Sequence, residues 1–235
     1  MDDRFLGGRV AVRQSADGFR SGLDAVMLAA AVPARAGDHV LELGAGAGAA
    51  SLCLAARVAF CRVTAVEIDA ALAGLISENA QLNGASVEAV CADIFALPPE
   101  LKREYAHVFC NPPFHEGQPS PDEARDRALR DSGRLGDWLE LGLKRAVSGG
   151  TFTTIIRADR MGEALSLLPA RGVSVLPLWP RADAPAKRII IQAVKGARSA
   201  LTVLPGLVLH ESDGRYTQAA DVILRGGAAL TMERP

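Results

Sequence analysis

Four consecutive residues, Asn111-Pro112-Pro113-Phe114, combine groups that act on a planar, conjugated amino nitrogen. The lone pair of such a nitrogen is delocalised, so it is a poor nucleophile until its NH2 is drawn towards tetrahedral geometry. Two hydrogen-bond acceptors aimed at the two N–H bonds would do this. The side-chain oxygen of Asn111 is one. The backbone carbonyl of Pro112 is the other, its direction fixed by the rigid Pro-Pro unit. Phe114 offers a flat face on which the ring bearing the nitrogen can stack. No strong general base is needed, because the rate would come from positioning and from acceptors preorganised for developing positive charge. The plain alternative is a proline-rich turn at a strand end.

A second group of residues would hold the other reactant. Val40-Leu41-Glu42-Leu43 is an apolar run carrying one acid, and Gly44, Gly46 and Gly48 follow it. Glycines there permit positive φ and close approach of a ligand to the backbone. A tight turn between strand and helix would use the same residues. Glu67, however, ends a second apolar run about 20 residues on, where a nucleoside-binding fold needs a carboxylate for ribose hydroxyls. An NAD-linked oxidoreductase would carry G-x-G-x-x-G and set a pyrophosphate on the helix N-terminus. Here the third glycine comes one residue early, and Glu42 would repel that pyrophosphate. The acid suits instead the cationic amino-acid end of S-adenosyl-L-methionine. Asp93 would accept the adenine amino group of that cofactor, with Ile68 and Ile94 sandwiching the ring; otherwise Asp93 is a helix N-cap.

These residues must be positioned by strands and helices, and the pattern supplies them. Short β-branched runs alternate with longer Ala/Leu-rich stretches, which argues for βα units and a parallel sheet. Strands are expected at Arg9–Arg13, His39–Leu43, Arg62–Glu67, Val87–Ala92, His107–Cys110, Thr151–Ile156, Val173–Leu178 and Arg188–Val194, with a short edge strand at Leu207–His210. Helices are expected at Leu23–Val32, Ala49–Val58, Ala70–Asn83 (stopped by Asn83-Gly84), Leu135–Ala146 and Arg160–Leu168. Residues 115–133 are polar and Pro/Gly-bearing, the character of a mobile surface loop. The organisation expected is a single domain, with 1–36 as an N-terminal flap and 37–235 as the catalytic core.

Bulk properties narrow the class. Of the 235 residues, 49% are hydrophobic and 23% charged, which fits a soluble globular protein with a sizeable core. A net charge of −1 gives no global basic field to advertise a nucleic-acid partner. Cys53, Cys61, Cys91 and Cys110 form no CxxC pair and read as reduced, mostly buried thiols. No metal is expected, since His39, His107, His115 and His210 show no ligand spacing with them. Met1-Asp2-Asp3-Arg4 lacks the basic start of a signal peptide, and the apolar stretch 25–34 is too short to span a bilayer. The expected setting is the cytoplasm, with no membrane partner.

The residues quoted also resemble known families. E-L-G-x-G-x-G at 42–48 resembles motif I of class I S-adenosylmethionine-dependent methyltransferases. Asn111–Phe114 resembles the N-P-P-[YF] motif of amino-methyltransferases acting on adenine N6, guanine N2 or protein glutamine. The stretch from Gln14 through Gly18-Phe19-Arg20-Ser21-Gly22-Leu23-Asp24 to Leu28, together with Ala186–Gln192 and Arg215-Tyr216-Thr217, is similar to the bacterial tRNA1(Val) (adenine-37 N6)-methyltransferase family. That resemblance covers nearly the whole chain. It implies an α/β, Rossmann-like, doubly wound and mostly parallel sheet with an antiparallel last strand. It implies S-adenosyl-L-methionine as cofactor and an RNA substrate, tRNA foremost. It implies cofactor contacts at Gly22, Asp24, Glu42, Gly44, Gly46, Gly48, Glu67, Ile68, Asp93, Ile94 and Asn111.

Two departures keep other readings open. Leu23 stands where the family has a small hydroxyl residue. Phe114-His115-Glu116-Gly117 also resembles the ribosomal-RNA guanine-N2 enzymes, although those usually carry an extra N-terminal domain. Glutamine-modifying enzymes usually bring an N-terminal helical module, and only about thirty residues precede the first core strand here. A non-catalytic module that binds the same cofactor would have no use for the paired acceptors. Candidate RNA contacts are His115, Arg125, Arg127, Arg130 and Arg134, interleaved with acids, and the pair Lys187 and Arg188.

Overall fold

Runs of Val, Ile and Leu bounded by glycine and proline make the sheet, and alanine-rich runs make the helices that cover it. The computed structural model of the chain describes residues 2–14, 20–113 and 134–232. It begins with a hairpin of β1 (Asp2–Phe5) and β2 (Val10–Arg13), followed by α1 (Leu23–Ala31). The core then alternates β3 (His39–Leu43), α2 (Ala49–Arg57), β4 (Arg62–Glu67), α3 (Ala70–Asn83), β5 (Val87–Cys91) and β6 (Tyr105–Cys110). After these come α4 (Leu135–Arg145), β7 (Ala146–Arg157), α5 (Met161–Leu167), β8 (Val173–Trp179) and β9 (Arg188–Val194). The described chain ends with β10 (Thr202–Val203), β11 (Leu207–Val208) and α6 (Gln218–Leu224).

The large sheet runs in the order β5–β4–β3–β6–β7–β9–β8–β10, with β11 also on the outer edge of β8. Strands β3 to β7 pair in parallel, whereas β9 is antiparallel to both β7 and β8. The antiparallel last strand of the core is thus β9, inserted between β7 and β8. The two-residue β10 and β11 that follow it run parallel to β8.

Alternation along each strand divides the core between two faces. Val40, Val63, Phe109, Ile155 and Ile190 pack with α1, α2 and α6. Leu41, Leu43, Val108, Cys110 and Ile191 pack with Trp138, Leu139 and Ala164 of α4 and α5. Helices therefore cover both sides, the doubly wound arrangement expected from the sequence. Chain order steps outward from β3 in both directions, to β4 and β5 on one side and β6 and β7 on the other. The crevice above the carboxyl ends of β3 and β6 is where such sheets bind ligands.

The N-terminal segment divides into two parts. Every residue of α1 from Ala25 to Ala31 is buried, as suits a helix apolar on all sides. The hairpin docks on α3 through two side-chain amides. Asn83 accepts the Ala11 N–H and donates to the Ala11 carbonyl, and Asn79 does the same for Arg13. Spaced four apart on one helix face, they act as a surrogate strand for the free edge of β2. Among the described residues, no helix is long and apolar enough to cross a membrane.

Candidate active site

The register of the sheet aligns the residues singled out above. Leu43 pairs with Val66 on one side and Cys110 on the other, and Glu67 pairs with Cys91. Asp93, Glu67, Gly44 and Asn111 consequently lie at or just past the carboxyl ends of four adjacent strands. At a strand spacing of about 4.8 Å, they span about 14 Å, the length of a nucleoside joined to an amino acid.

The glycine loop is backbone-driven. Gly44, Gly46 and Gly48 have φ of 67°, 58° and 83°, all in the left-handed region that side chains resist. A Cβ on Gly44 would lie 2.6 Å from the Trp138 ring, whereas one on Gly46 would meet nothing within 4 Å. Gly46 therefore faces open space, and its conformation excludes other residues. The loop is tied to β4 through the Val66 carbonyl, which accepts from Gly44 and Ala45.

Both acids of the site have defined partners. Glu67 is 8% exposed; one carboxylate oxygen accepts the Gly46 N–H at 2.8 Å and the other the Asp69 N–H at 3.0 Å. Burial raises its pKa, opposed by these backbone bonds. The Ile68 backbone also contributes to holding this carboxylate. Glu42 is 3% exposed and accepts both the hydroxyl and the N–H of Ser51 through a single oxygen. Burial pushes its carboxyl up to about 8, against the opposing effect of the Ser51 bonds. Ser51 lies in the first turn of α2. The helix end that would seat a pyrophosphate is thus already turned to Glu42, which disfavours a dinucleotide.

Asn111 is half-buried, Pro112 is buried, and the Asn111 Oδ1 has no hydrogen-bond partner among the described residues. Buried carbonyl oxygens are nearly always paired, so an orphan at this point is an acceptor awaiting a donor. Phe114, His115, Arg125, Arg127 and Arg130, and the loop expected at 115–133, lie outside the described residues.

Other expected contacts stand differently. Asp93 accepts the Phe95 N–H at 2.8 Å as the cap of a 3-10 turn, so the capping role is present, with the side chain still exposed. Ile68 is 41% exposed, but Ile94 is 6% exposed and packs into the core. The expected sandwich of two isoleucines therefore loses one of its faces. Gly22 is the N-cap of α1. Asp24 pairs with Arg188 at 2.8 Å, joining an expected cofactor residue to an expected RNA contact. Lys187 is exposed. Arg134 sits 3.7 Å from the centre of the Phe95 ring and pairs with Asp137. Cys53, Cys61 and Cys110 are buried free thiols, and Cys91 is exposed. No group of three or more metal-binding side chains occurs among the described residues.

Three residues escaped the sequence reading. Trp138 lies against Gly44 and meets Phe95 edge to face at 5.9 Å. Ser51 holds Glu42. Asn79, fully buried, donates to the Ala47 carbonyl as well as to Arg13, so it links the glycine loop to the N-terminal hairpin. Two asparagines four residues apart in an otherwise good helix were the available signal, since asparagine is a poor helix former.

Comparison with known proteins bears on this arrangement. The family model described as "Methyltransferase small domain" matches residues 19–135. A tRNA1(Val) (adenine(37)-N6)-methyltransferase of Bacteroides fragilis is 31% identical over 182 residues, 72% of this chain and 75% of that protein. One of Shewanella baltica is 24% identical over 223 residues, 88% of this chain and 91% of that protein. A solved predicted O-methyltransferase of Agrobacterium tumefaciens superimposes with a TM-score of 0.76 at 28% identity, covering 90% of this chain and 100% of the other. The Thermus thermophilus 16S rRNA N2 G1207 methyltransferase, solved with AdoMet and guanosine, gives a TM-score of 0.57 at 21% identity. It covers 83% of this chain and 50% of that one, a likeness of fold.

Proposed function

This chain belongs to the methyltransferase small-domain family of class I S-adenosylmethionine-dependent methyltransferases, and from that premise we propose that it methylates the exocyclic N6 nitrogen of an adenine in tRNA. The observation that carries this reading is the buried Oδ1 of Asn111, without a donor among the described residues, at the carboxyl end of β6.

When bound, S-adenosyl-L-methionine supplies an electrophilic methyl carbon on a sulfonium sulfur. Glu42 would balance the charge of its amino-acid end, Glu67 would accept its ribose hydroxyls, and Asp93 and Ile68 would border its adenine. Open space over Gly46 gives it room against the loop. On the substrate side, Asn111 Oδ1 and the Pro112 carbonyl accept the two N–H bonds of the target amine. They thereby raise its lone pair towards the methyl carbon. The same two oxygens would face the positive charge that grows on nitrogen during transfer. The surplus proton then leaves to solvent.

An oxygen acceptor has a single proton and would need a base, so paired acceptors favour nitrogen despite the name borne by the Agrobacterium structure. Guanine N2 and glutamine N5 present the same NH2 chemistry. The names of the Bacteroides and Shewanella relatives favour adenine in tRNA over both.

The test is transfer of labelled methyl from S-adenosyl-L-methionine to unmodified bulk tRNA, followed by digestion and nucleoside mass spectrometry. N6-methyladenosine is expected. N2-methylguanosine, a methylated ribose, or label only in protein would overturn the assignment.

A further inference from the structure

We propose that the cavity between the C-terminal turn and α6 is a docking subsite for the sugar-phosphate backbone of the RNA substrate, apart from the residues that hold the methyl donor. The inference rests on the RNA reading given above. The cavity has a volume of about 440 Å³ and is lined by His210, Gly214, Arg215, Tyr216, Asp221 and Arg225.

Its walls are ordered by backbone and ring contacts. His210 and Tyr216 form an antiparallel bridge, and their rings stack 4.9 Å apart at 29°. His210 Nδ1 lies 3.2 Å from the Pro180 carbonyl. A carbonyl only accepts, so Nδ1 carries the proton and Nε2 is left for a ligand. The Arg225 guanidinium lies 5.8 Å from the Tyr216 ring centre and 3.1 Å from Asp221, and Arg215 pairs with Asp213 at 2.7 Å. The side chains of Arg215 and Arg225 are 84% and 66% exposed. Ion pairs so open to solvent are weak and screened by salt. A phosphate can replace each carboxylate with the two-pronged geometry that a guanidinium matches. Asp221 within the same cavity disfavours a free polyanion and suits a ribose hydroxyl, the group that marks RNA.

Position in the sheet points the same way. Because β8 and β9 are antiparallel, and β9 and β7 likewise, β8 runs with β6. Strand β11 pairs with the last two residues of β8, and the ladder continues from Leu209 N–H to the Trp179 carbonyl and from His210 N–H to the Pro180 carbonyl. His210, on the cavity wall, therefore lies beyond the same carboxyl edge as Asn111. Four strand intervals separate them, about 19 Å, or about six stacked nucleotide steps of one strand. The β8–β9 connection lies within that interval and presents Arg181 and Lys187, both exposed. A bound RNA would run from its target base at Asn111 along this edge to the cavity.

The experiment compares wild type, Arg215→Ala, Arg225→Ala and the double variant. Fluorescence anisotropy would measure binding of unmodified full-length tRNA over a salt series. Methyl transfer would be measured on full-length tRNA and on a short oligomer confined to the target loop. The double variant is expected to bind full-length tRNA roughly tenfold more weakly, with the salt slope reduced by about 1.5 to 2, the sum for two phosphate contacts. Its affinity for S-adenosyl-L-methionine, and its turnover of the oligomer, should equal those of wild type. Arg215→Ala guards against a folding artefact, since that side chain is almost wholly in solvent, and it should show part of the same loss. Wild-type tRNA affinity and salt slope in the double variant would overturn the subsite alone. Failure of the wild-type chain to bind any RNA would overturn the RNA reading as well.

Discussion

Truncating Asn111 to alanine separates its chemical role from any structural one. In the free protein Oδ1 is buried and accepts no hydrogen bond among the described residues, so the truncation breaks none. An unsatisfied buried carbonyl costs about 1–3 kcal/mol. Removing it offsets the small packing loss, and stability should stay within about 1 kcal/mol of wild type. In the proposed transition state the same oxygen would face a nitrogen that is becoming cationic. A hydrogen bond to a charged partner contributes about 1.5–3 kcal/mol, and loss of one preorganised group in a dry site about 2.7–4 kcal/mol. At tenfold per 1.36 kcal/mol, the expected fall is roughly 10² to 10³ in the rate of transfer. Single-turnover transfer of labelled methyl would measure it, with calorimetric cofactor titration and thermal unfolding as controls. Asn111→Asp, which keeps an acceptor, should recover part of the rate. A wild-type single-turnover rate in Asn111→Ala would refute the amine-polarising mechanism.

Other consequences follow from the same geometry. Gly46→Ala forces a side chain into φ of 58° and should cost about 1–2 kcal/mol in chemical denaturation, while weakening cofactor binding at least roughly tenfold by filling the space over the loop. Glu42 has its pKa raised by burial to about 8, from 4.5 in water. Its contribution to apo stability is therefore complete below about pH 4.5 and lost as pH rises through about 8. Cofactor affinity should rise over the same window, because a neighbouring cation favours the ionised form; Glu42→Gln should flatten both profiles, read by unfolding and by titration at several pH values. Asn79→Leu strips partners from the Ala47 carbonyl and from Arg13. It should destabilise by about 2–4 kcal/mol, measured by urea unfolding, and more than an Asn83→Leu change that leaves the loop contact intact.

The elements that position the site were legible because their signals are local. The bounds of β3, β4, α3 and β9 match the apolar runs and caps read from the chain, Asn83-Gly84 included, where Gly84 takes the left-handed cap at φ 58°. Strand β7 runs longer than expected, from Ala146, since its Gly149-Gly150 start reads as a turn yet pairs in the sheet. Strands β1 and β10 and helix α6 were missed. Each is short, and β10 is held by a distant partner rather than by its own pattern, through Thr202 and Val203 on β8. The places of Glu42 and Glu67 in neighbouring strands were legible in the spacing, but their buried partners were not, because Ser51 and Gly46 meet them only through tertiary packing. Ile94 turned inward for the same reason: beside Asp93 and matched with Ile68 it reads as one wall of an adenine site, while the 3-10 turn directs it into the core.

The most direct test of the central claim is to see the new bond. Unmodified tRNA transcribed with adenine labelled by 15N at N6 would be methylated with S-adenosyl-L-methionine carrying a 13C methyl group, and examined by NMR. A one-bond 13C–15N coupling on the new methyl signal is the predicted result. A methyl signal without that coupling would place the group on another atom and contradict the account.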